Sequence, residues 1–217
     1  MNMIIANSGD LAADQARYES YFKGRFAQFG VDVRSLWGGA ASQRQRFEIL
    51  SEVTDLNERT VLDVGCGFGD FYGFLTRDKG LRLKKYVGLD LTQDFIGEAV
   101  HRYATAPQAS FAKVDFLSWS GDEEFDVAVA SGIFFLPSEK WEDYVLVVCQ
   151  KMFRHARRGI AVNFLSTCSP QPDPHSKYSR PGVTLELLMR HISPAAVLRH
   201  DYRLNDFTIY LYPHPTA

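Results

Sequence analysis

Between positions 60 and 70 the chain reads Thr60-Val61-Leu62-Asp63-Val64-Gly65-Cys66-Gly67-Phe68-Gly69-Asp70, an apolar run that breaks into three glycines at every second residue before helix-period residues resume. Glycine adopts backbone angles closed to other residues and has no Cβ, so the chain can turn tightly and touch a ligand there. A strand feeding such a loop, which then opens a helix, is a cradle for a nucleotide cofactor.

From Thr60 onward apolar runs alternate with helix-period segments, the pattern of a parallel sheet covered by helices. The expected strands are Val61–Gly65, Lys85–Asp90, Ser110–Val114, Phe125–Ala130 and Gly159–Phe164. Between them, Phe71, Phe74 and Leu75 recur at helical spacing. A helix after Thr92 places Ile96, Ala99, Val100 and Tyr103 on one face. Pro137 and Ser138 are expected to open a long helix carrying Trp141, Tyr144, Val145, Val148 and Met152 inward. Two last runs, Ala196–Tyr202 and Phe207–Tyr212, are separated only by Arg203-Leu204-Asn205-Asp206. That gap is too short for a crossover helix, so the runs must pair as an antiparallel hairpin.

Two helices are expected ahead of this core. One runs from about Asp10 to Phe29, with Leu11, Gln15, Tyr18, Phe22, Phe26 and Phe29 on one stripe and Gly30 as its stop. The other starts at Ser42, where Ser42 and Gln45 fit a capping box, and buries Phe47, Leu50 and Val53. The reading is one domain, with 1–59 as a helical cap and 60–217 as the core. Residues 166–182, which carry Pro170, Pro172, Pro174 and Pro181, form an irregular binding loop within that core.

The choice of cofactor follows from acids. Asp70 sits directly after the last glycine, where the pyrophosphate of a dinucleotide would need helix-dipole amides and no carboxylate. The second strand ends in Asp90, at the distance from the loop where an acid accepts from ribose hydroxyls. The third ends in Val114-Asp115-Phe116. There a carboxylate can accept from an exocyclic adenine amine, while Phe116 or Leu117 closes on the ring face. On Val61-Leu62-Asp63-Val64-Gly65-Cys66-Gly67-Phe68-Gly69, Gly88-Leu89-Asp90-Leu91, Val114-Asp115-Phe116-Leu117 and Phe125-Asp126-Val127-Ala128-Val129-Ala130-Ser131-Gly132, the chain resembles the class I S-adenosylmethionine-dependent methyltransferases from Thr60 to Tyr212.

The resemblance implies a Rossmann-like three-layer α/β sandwich. Its seven-stranded, mostly parallel sheet takes its last strand antiparallel beside the fifth. The implied cofactor is S-adenosyl-L-methionine, with S-adenosyl-L-homocysteine as product. Carried onto this sequence, Gly65, Cys66 and Gly67 pass the methionine moiety and Asp63 orders the loop or meets the cofactor's amino group. Asp90 and Leu91 meet the ribose, Asp115 and Phe116 the adenine, and Ser131 the sulfonium end. The methionine carboxylate needs a donor, and Arg46, whose guanidinium matches a carboxylate in a fork, is expected to supply it, with Trp37 walling the same pocket.

Methyl transfer from a sulfonium is an in-line displacement that needs a held nucleophile, and a base only where that nucleophile carries a removable proton. The expected acceptor pocket draws on Tyr18, Tyr21, Phe22, Phe134, Phe135 and Arg180. His175 is the first choice of base, with Tyr178 beside it as a catalytic candidate. Family members that methylate nucleic-acid amines carry Asn/Asp-Pro-Pro-aromatic after the fourth strand. Here Ser131-Gly132-Ile133-Phe134 stands instead. A net charge of -2 also gives no reason to expect a polyanionic partner, so a small-molecule acceptor methylated on O or N is expected, with no nucleic acid and no membrane. A protein or RNA methyltransferase, a non-catalytic cofactor-binding protein and a dinucleotide oxidoreductase are the rivals.

The three cysteines, Cys66, Cys149 and Cys168, show no metal or disulfide spacing, and no metal is expected. The start of the chain lacks a basic region and a long apolar run, so a cytoplasmic monomer or homodimer is expected.

Overall fold

A computed structural model describes residues 12–36, 38–202 and 205–214. Its helices are α1 (Ala12–Phe29), α2 (Ala40–Leu50), α3 (Asp70–Gly73), α4 (Gln93–Arg102), α5 (Trp141–Arg154) and α6 (Pro181–His191). Its strands are β1 (Thr60–Val64), β2 (Lys85–Asp90), β3 (Ala109–Lys113), β4 (Phe125–Ala130), β5 (Ala156–Ser166), β6 (Tyr178–Ser179), β7 (Ala196–Arg199) and β8 (Asp206–Leu211). They form one sheet in the order β3-β2-β1-β4-β5-β8-β7, with the two-residue β6 pairing alongside β5.

The alternation of side chains along each strand divides the core in two. On one face Leu62, Val64, Ala128, Ala130, Ile160 and Val162 pack under Tyr144, Val145, Val148 and Met152 of α5 and Leu188 of α6. On the other, Val61, Val127, Val129 and Ala161 pack against Phe47 and Leu50 of α2 and Phe71, Phe74 and Leu75 beyond the glycine loop. The result is the expected three-layer α/β arrangement. β8 enters antiparallel beside β5, with Ala161 opposite Tyr210 and Val162 opposite Ile209, and pairs antiparallel with β7. The reversal of strand order lies between β1 and β4, where open α/β sheets place their ligand crevice.

Several local expectations give way. The capping box at Ser42 does not form: α2 starts two residues earlier after Gly39, and Ser42 Oγ instead accepts from Arg46 Nη1 at 2.5 Å. α5 starts at Trp141 rather than Pro137, since Ser138 Oγ caps a turn by accepting from Lys140 N at 3.0 Å. Val100 is half exposed, and Phe95 takes its place on the buried face of α4. β5 runs from Ala156 to Ser166, three residues earlier and two later than expected. The segment 166–182 is not wholly irregular, because Tyr178–Ser179 adds a parallel strand and Pro181 opens α6. Gly30 does stop α1, at φ 62° with its N–H on Phe26 O.

Candidate functional site

Three connected cavities lie along the C-terminal edge of the sheet. The first surrounds the glycine loop. Gly65, Gly67 and Gly69 have φ of 78°, 54° and 71°, so all three occupy the left-handed region that their spacing predicts. The loop is tied to the end of β2: Gly65 N and Cys66 N donate to Leu89 O, and Gly67 N donates to Asp90 Oδ2 at 2.9 Å. Cys66 is buried, its Sγ 3.7 Å from Gly67 O, and burial pushes its thiol well above the ordinary range, which removes it as a nucleophile.

Three carboxylates converge on this cavity. Asp63, 4% exposed on β1, accepts a hydrogen bond from Tyr86 OH, and burial lifts its pKa to about 7. Asp90 also accepts from Thr92 N at 2.8 Å, and burial raises its carboxyl while these backbone donors hold it down. Asp70 accepts from Gln43 Nε2 at 2.8 Å and Arg102 Nη1 at 2.7 Å. A pocket walled by three acids suits a cation. Ser131 completes it, its Oγ accepting from Asn163 Nδ2 at 2.8 Å.

The second cavity shares Gly65, Asp90, Phe22 and Ile133 with the first and extends over the ends of β2 and β3. Leu91, Asp115, Phe116 and Leu117 line it from the sheet, and Gln15, Tyr18 and Phe22 from α1. Asp115 Oδ1 accepts from Leu117 N at 2.9 Å and from Gln15 Nε2. Phe116 is buried, with its ring stacked on Trp119 at 6.0 Å. Tyr18 OH accepts from Leu136 N at 3.1 Å and its ring stacks on Tyr144, so this residue roofs the cavity from α1.

The third cavity, of about 250 Å³, shares Leu36 and Gly132 with the first. Tyr21, Phe134, Phe135 and Phe164 wall it, and Arg25, Arg46, Asn163, Asp173 and Asp206 give it polar groups.

The structure thus brings Asp63, Gly65, Cys66, Gly67, Asp90 and Ser131 together in the first cavity. It brings Leu91, Asp115, Phe116 and Tyr18 together in the second, with Phe22 bordering both, and Tyr21, Phe134 and Phe135 in the third. Trp37 lies outside the described residues. Arg46 departs from expectation. Its guanidinium is gripped by buried Asp206 (Nη2 to Oδ1 and Oδ2 at 2.9 Å, Nε to Oδ1 at 3.1 Å) and faces the third cavity. Gln43, one turn earlier on α2, faces the first cavity instead.

His175, Tyr178 and Arg180 border none of the three. His175 is exposed on a turn, its N–H on Asp173 Oδ1, and Tyr178 OH accepts from Asp173 N at 2.8 Å. Exposed Arg180 precedes α6. The loop reaches the third cavity through Asp173 and Ser176. Sequence reasoning passed over Gln43, Asn163 and Asp206. Gln15 was placed on the stripe of α1 without a role, although one amide on an otherwise apolar stripe signals a buried polar partner. Among the described residues, no group of three His, Cys, Asp or Glu could hold a metal, and no helix is long and apolar enough to cross a membrane.

Residues 61–159 match the family model described as a methyltransferase domain. Over that stretch the chain is similar to a methyltransferase domain, in keeping with the class I S-adenosylmethionine-dependent methyltransferases that its sequence resembles. A methyltransferase-like protein of Mycobacterium tuberculosis is 28% identical over 156 residues, covering 69% of this chain and 90% of that one. Among solved structures, magnesium protoporphyrin IX methyltransferase of Synechocystis with bound S-adenosylhomocysteine superposes with a TM-score of 0.63. It is 13% identical and aligns over 93% of this chain and 99% of its own. The [4+2]-cyclase SpnF also shares the fold (TM-score 0.55, 17% identity, 75% of this chain and 63% of that chain). Because the fold serves more than one reaction, the reaction must be argued from the cavities.

Proposed function

We propose that this protein transfers a methyl group from S-adenosylmethionine to an O or N atom of a small-molecule acceptor. The observation that carries the reading is the pair Asp90 and Asp115. They stand at the ends of neighbouring strands on one cavity, which joins a glycine loop walled by acids. In this reading Asp90 accepts from the ribose hydroxyls and Asp115 from the adenine amine, with Leu91 and Phe116 against the nucleoside. The methionine end lies along Gly65, Cys66 and Gly67. Its ammonium and the sulfonium are cations, which Asp70 and Asp90 favour electrostatically and Asp63 joins once it ionises near pH 7. Gln43 is the donor that faces its carboxylate.

S-adenosylmethionine supplies an activated methyl group when bound. The chain's own residues orient and enclose it. Gly132 and Leu36, common to the first and third cavities, mark where an acceptor would meet the methyl group, at about 3–3.5 Å for in-line attack. Aromatic walls from Tyr21, Phe134 and Phe135 exclude water, which helps as positive charge leaves sulfur. The third cavity is of small-molecule size, and the Synechocystis methyltransferase is named for a small-molecule substrate; both favour a small acceptor.

Calorimetry with S-adenosylhomocysteine and, separately, NAD tests the cofactor. Binding of the first and not the second is expected, and the reverse overturns the reading. Transfer of labelled methyl from S-adenosylmethionine into the low-molecular-weight fraction of a metabolite extract tests the acceptor class; label found only in protein or RNA overturns that part.

A further inference from the structure

We propose that the acceptor's nucleophile is an O–H or N–H group on a small, flat, aromatic molecule, and that Asp206 binds this group and takes its proton while Arg46 holds the carboxylate in place. The proposal rests on the third cavity being the acceptor site.

Asp206 opens β8 opposite Leu165 of β5 and is 2% exposed, yet it borders that cavity. A carboxylate this buried stays ionised only beside a counter-charge, which the Arg46 fork provides. The fork is uneven. Oδ1 accepts from both Nε and Nη2, whereas among the described residues Oδ2 accepts from Nη2 alone. A carboxylate oxygen takes two hydrogen bonds, so Oδ2 has one acceptor position left for a donor. The other acid on the cavity, Asp173, is exposed, with its oxygens turned to its own loop on His175 N and Ser176 Oγ. Among the described residues, the charged or titratable groups that face Asp206 are Arg46 from α2, His200 after β7 and Tyr202 before β8. Burial raises the Asp206 carboxyl above its ordinary range and Arg46 brings it back down, a balance suited to a group that must receive a proton and release it.

The walls define the body of the acceptor. Phe134 stacks on Phe164 at 5.0 Å and 17°, and Phe164 on Phe207 at 5.3 Å and 23°. Across the cavity Tyr21 meets Phe135 edge-on at 5.2 Å. Of these rings Tyr21, Phe134, Phe135 and Phe164 line the cavity, and an aromatic lining favours a flat aromatic body.

The step balances without a further reactant. The nucleophile's lone pair forms a bond to the methyl carbon. The electrons of the breaking C–S bond stay on sulfur as a thioether, and the O–H or N–H proton passes to Asp206 and then to solvent.

The test uses protein saturated with S-adenosylhomocysteine and titrated with phenol, benzylamine and toluene, followed by amide NMR shifts. Toluene matches the ring and lacks the donor. The comparison variant is Arg46→Met with Asp206→Leu, because exchanging a whole buried pair for apolar side chains commonly leaves a fold intact. The donor-bearing probes should bind about 10-fold tighter than toluene, the value of one hydrogen bond to a charged group. That preference should vanish in the double variant while S-adenosylhomocysteine binds as before. A preference that survives in the variant, or is missing from the parent although S-adenosylhomocysteine binds, overturns the proposal. Failure of the parent to bind S-adenosylhomocysteine instead removes the cofactor reading, and this inference with it.

Discussion

The Gln15 side chain of α1 donates its amide N–H to Asp115 Oδ1, the same oxygen that receives Leu117 N at 2.9 Å. An amide N–H₂ in that place is a chemical match for the exocyclic amine of adenine, so the helix and a nucleoside compete for one acceptor. Gln15→Ala removes the competitor at the cost of one hydrogen bond between α1 and the sheet. Binding of S-adenosylhomocysteine should tighten by about 5-fold, the equivalent of ~1 kcal/mol. Calorimetry on the parent and variant measures it; unchanged or weaker binding would show that Gln15 yields without contest.

Asp90 has two tasks that one substitution separates from Asp115. Its oxygens hold Gly67 N at 2.9 Å and Thr92 N at 2.8 Å, so Asp90→Ala frees the glycine loop as well as removing an acceptor. Hydrogen bonds to a charged group contribute about 1.5–3 kcal/mol each, so S-adenosylhomocysteine affinity should fall by about 100-fold or more. Retention of affinity within a few-fold would place the nucleoside elsewhere on the molecule.

Gly65 tests the loop itself. At φ 78° a side chain meets a left-handed penalty of about 1–2 kcal/mol, and a Cβ there would stand 2.3 Å from Ile133 Cγ2. Gly65→Ala should lower the melting temperature by roughly 2–8 °C. Gly24→Ala is the control. It lies inside α1 with nothing within 4 Å of a new Cβ, and should raise stability by about 0.5–1 kcal/mol. Equal responses at the two positions would refute a left-handed turn closed against Ile133.

The split between what was readable in the sequence and what was not follows a physical line. The placement of Gly65, Gly67, Gly69, Asp90 and Asp115 was legible because backbone position sets it: a left-handed turn, or the end of a strand that faces the crevice. The terminal hairpin was legible because a gap of a few residues admits only one connection, although β7 ends at Arg199 rather than Tyr202 and β8 begins at Asp206. Arg46 was misplaced because its partner, Asp206, is 160 residues away and no local pattern announces such a pair. His175 and Tyr178 were favoured for their chemistry alone, and the turn built on Asp173 holds them off the cavities. Burial of Asn163 and Asp206 on adjoining strands was invisible for the same reason, since side-chain facing at the sheet edge depends on the register of β5 against β8. His175→Ala should therefore leave labelled-methyl transfer unchanged within two-fold at every pH tested.

Asp63 makes stability depend on pH in a direction opposite to that of most acids. Burial pushes its pKa up to about 7, Tyr86 OH draws it down, and Asp90 and Asp70 raise it further. In the unfolded chain this carboxyl loses its proton near pH 4, while the folded protein keeps it until about pH 7. Between those values the native state binds more protons, so rising pH withdraws stability, by up to about 4 kcal/mol across the window. Asp63→Asn cannot ionise. Urea unfolding at half-unit steps should therefore show the variant gaining on the parent as pH rises from 4 to 7, with little further change above it. A constant difference would mean that Asp63 ionises like an exposed acid. The same charge bears on ligand binding. As the parent passes pH 7 its first cavity gains a negative charge, so the affinity of cationic S-adenosylmethionine should rise with pH in the parent and stay flat in Asp63→Asn.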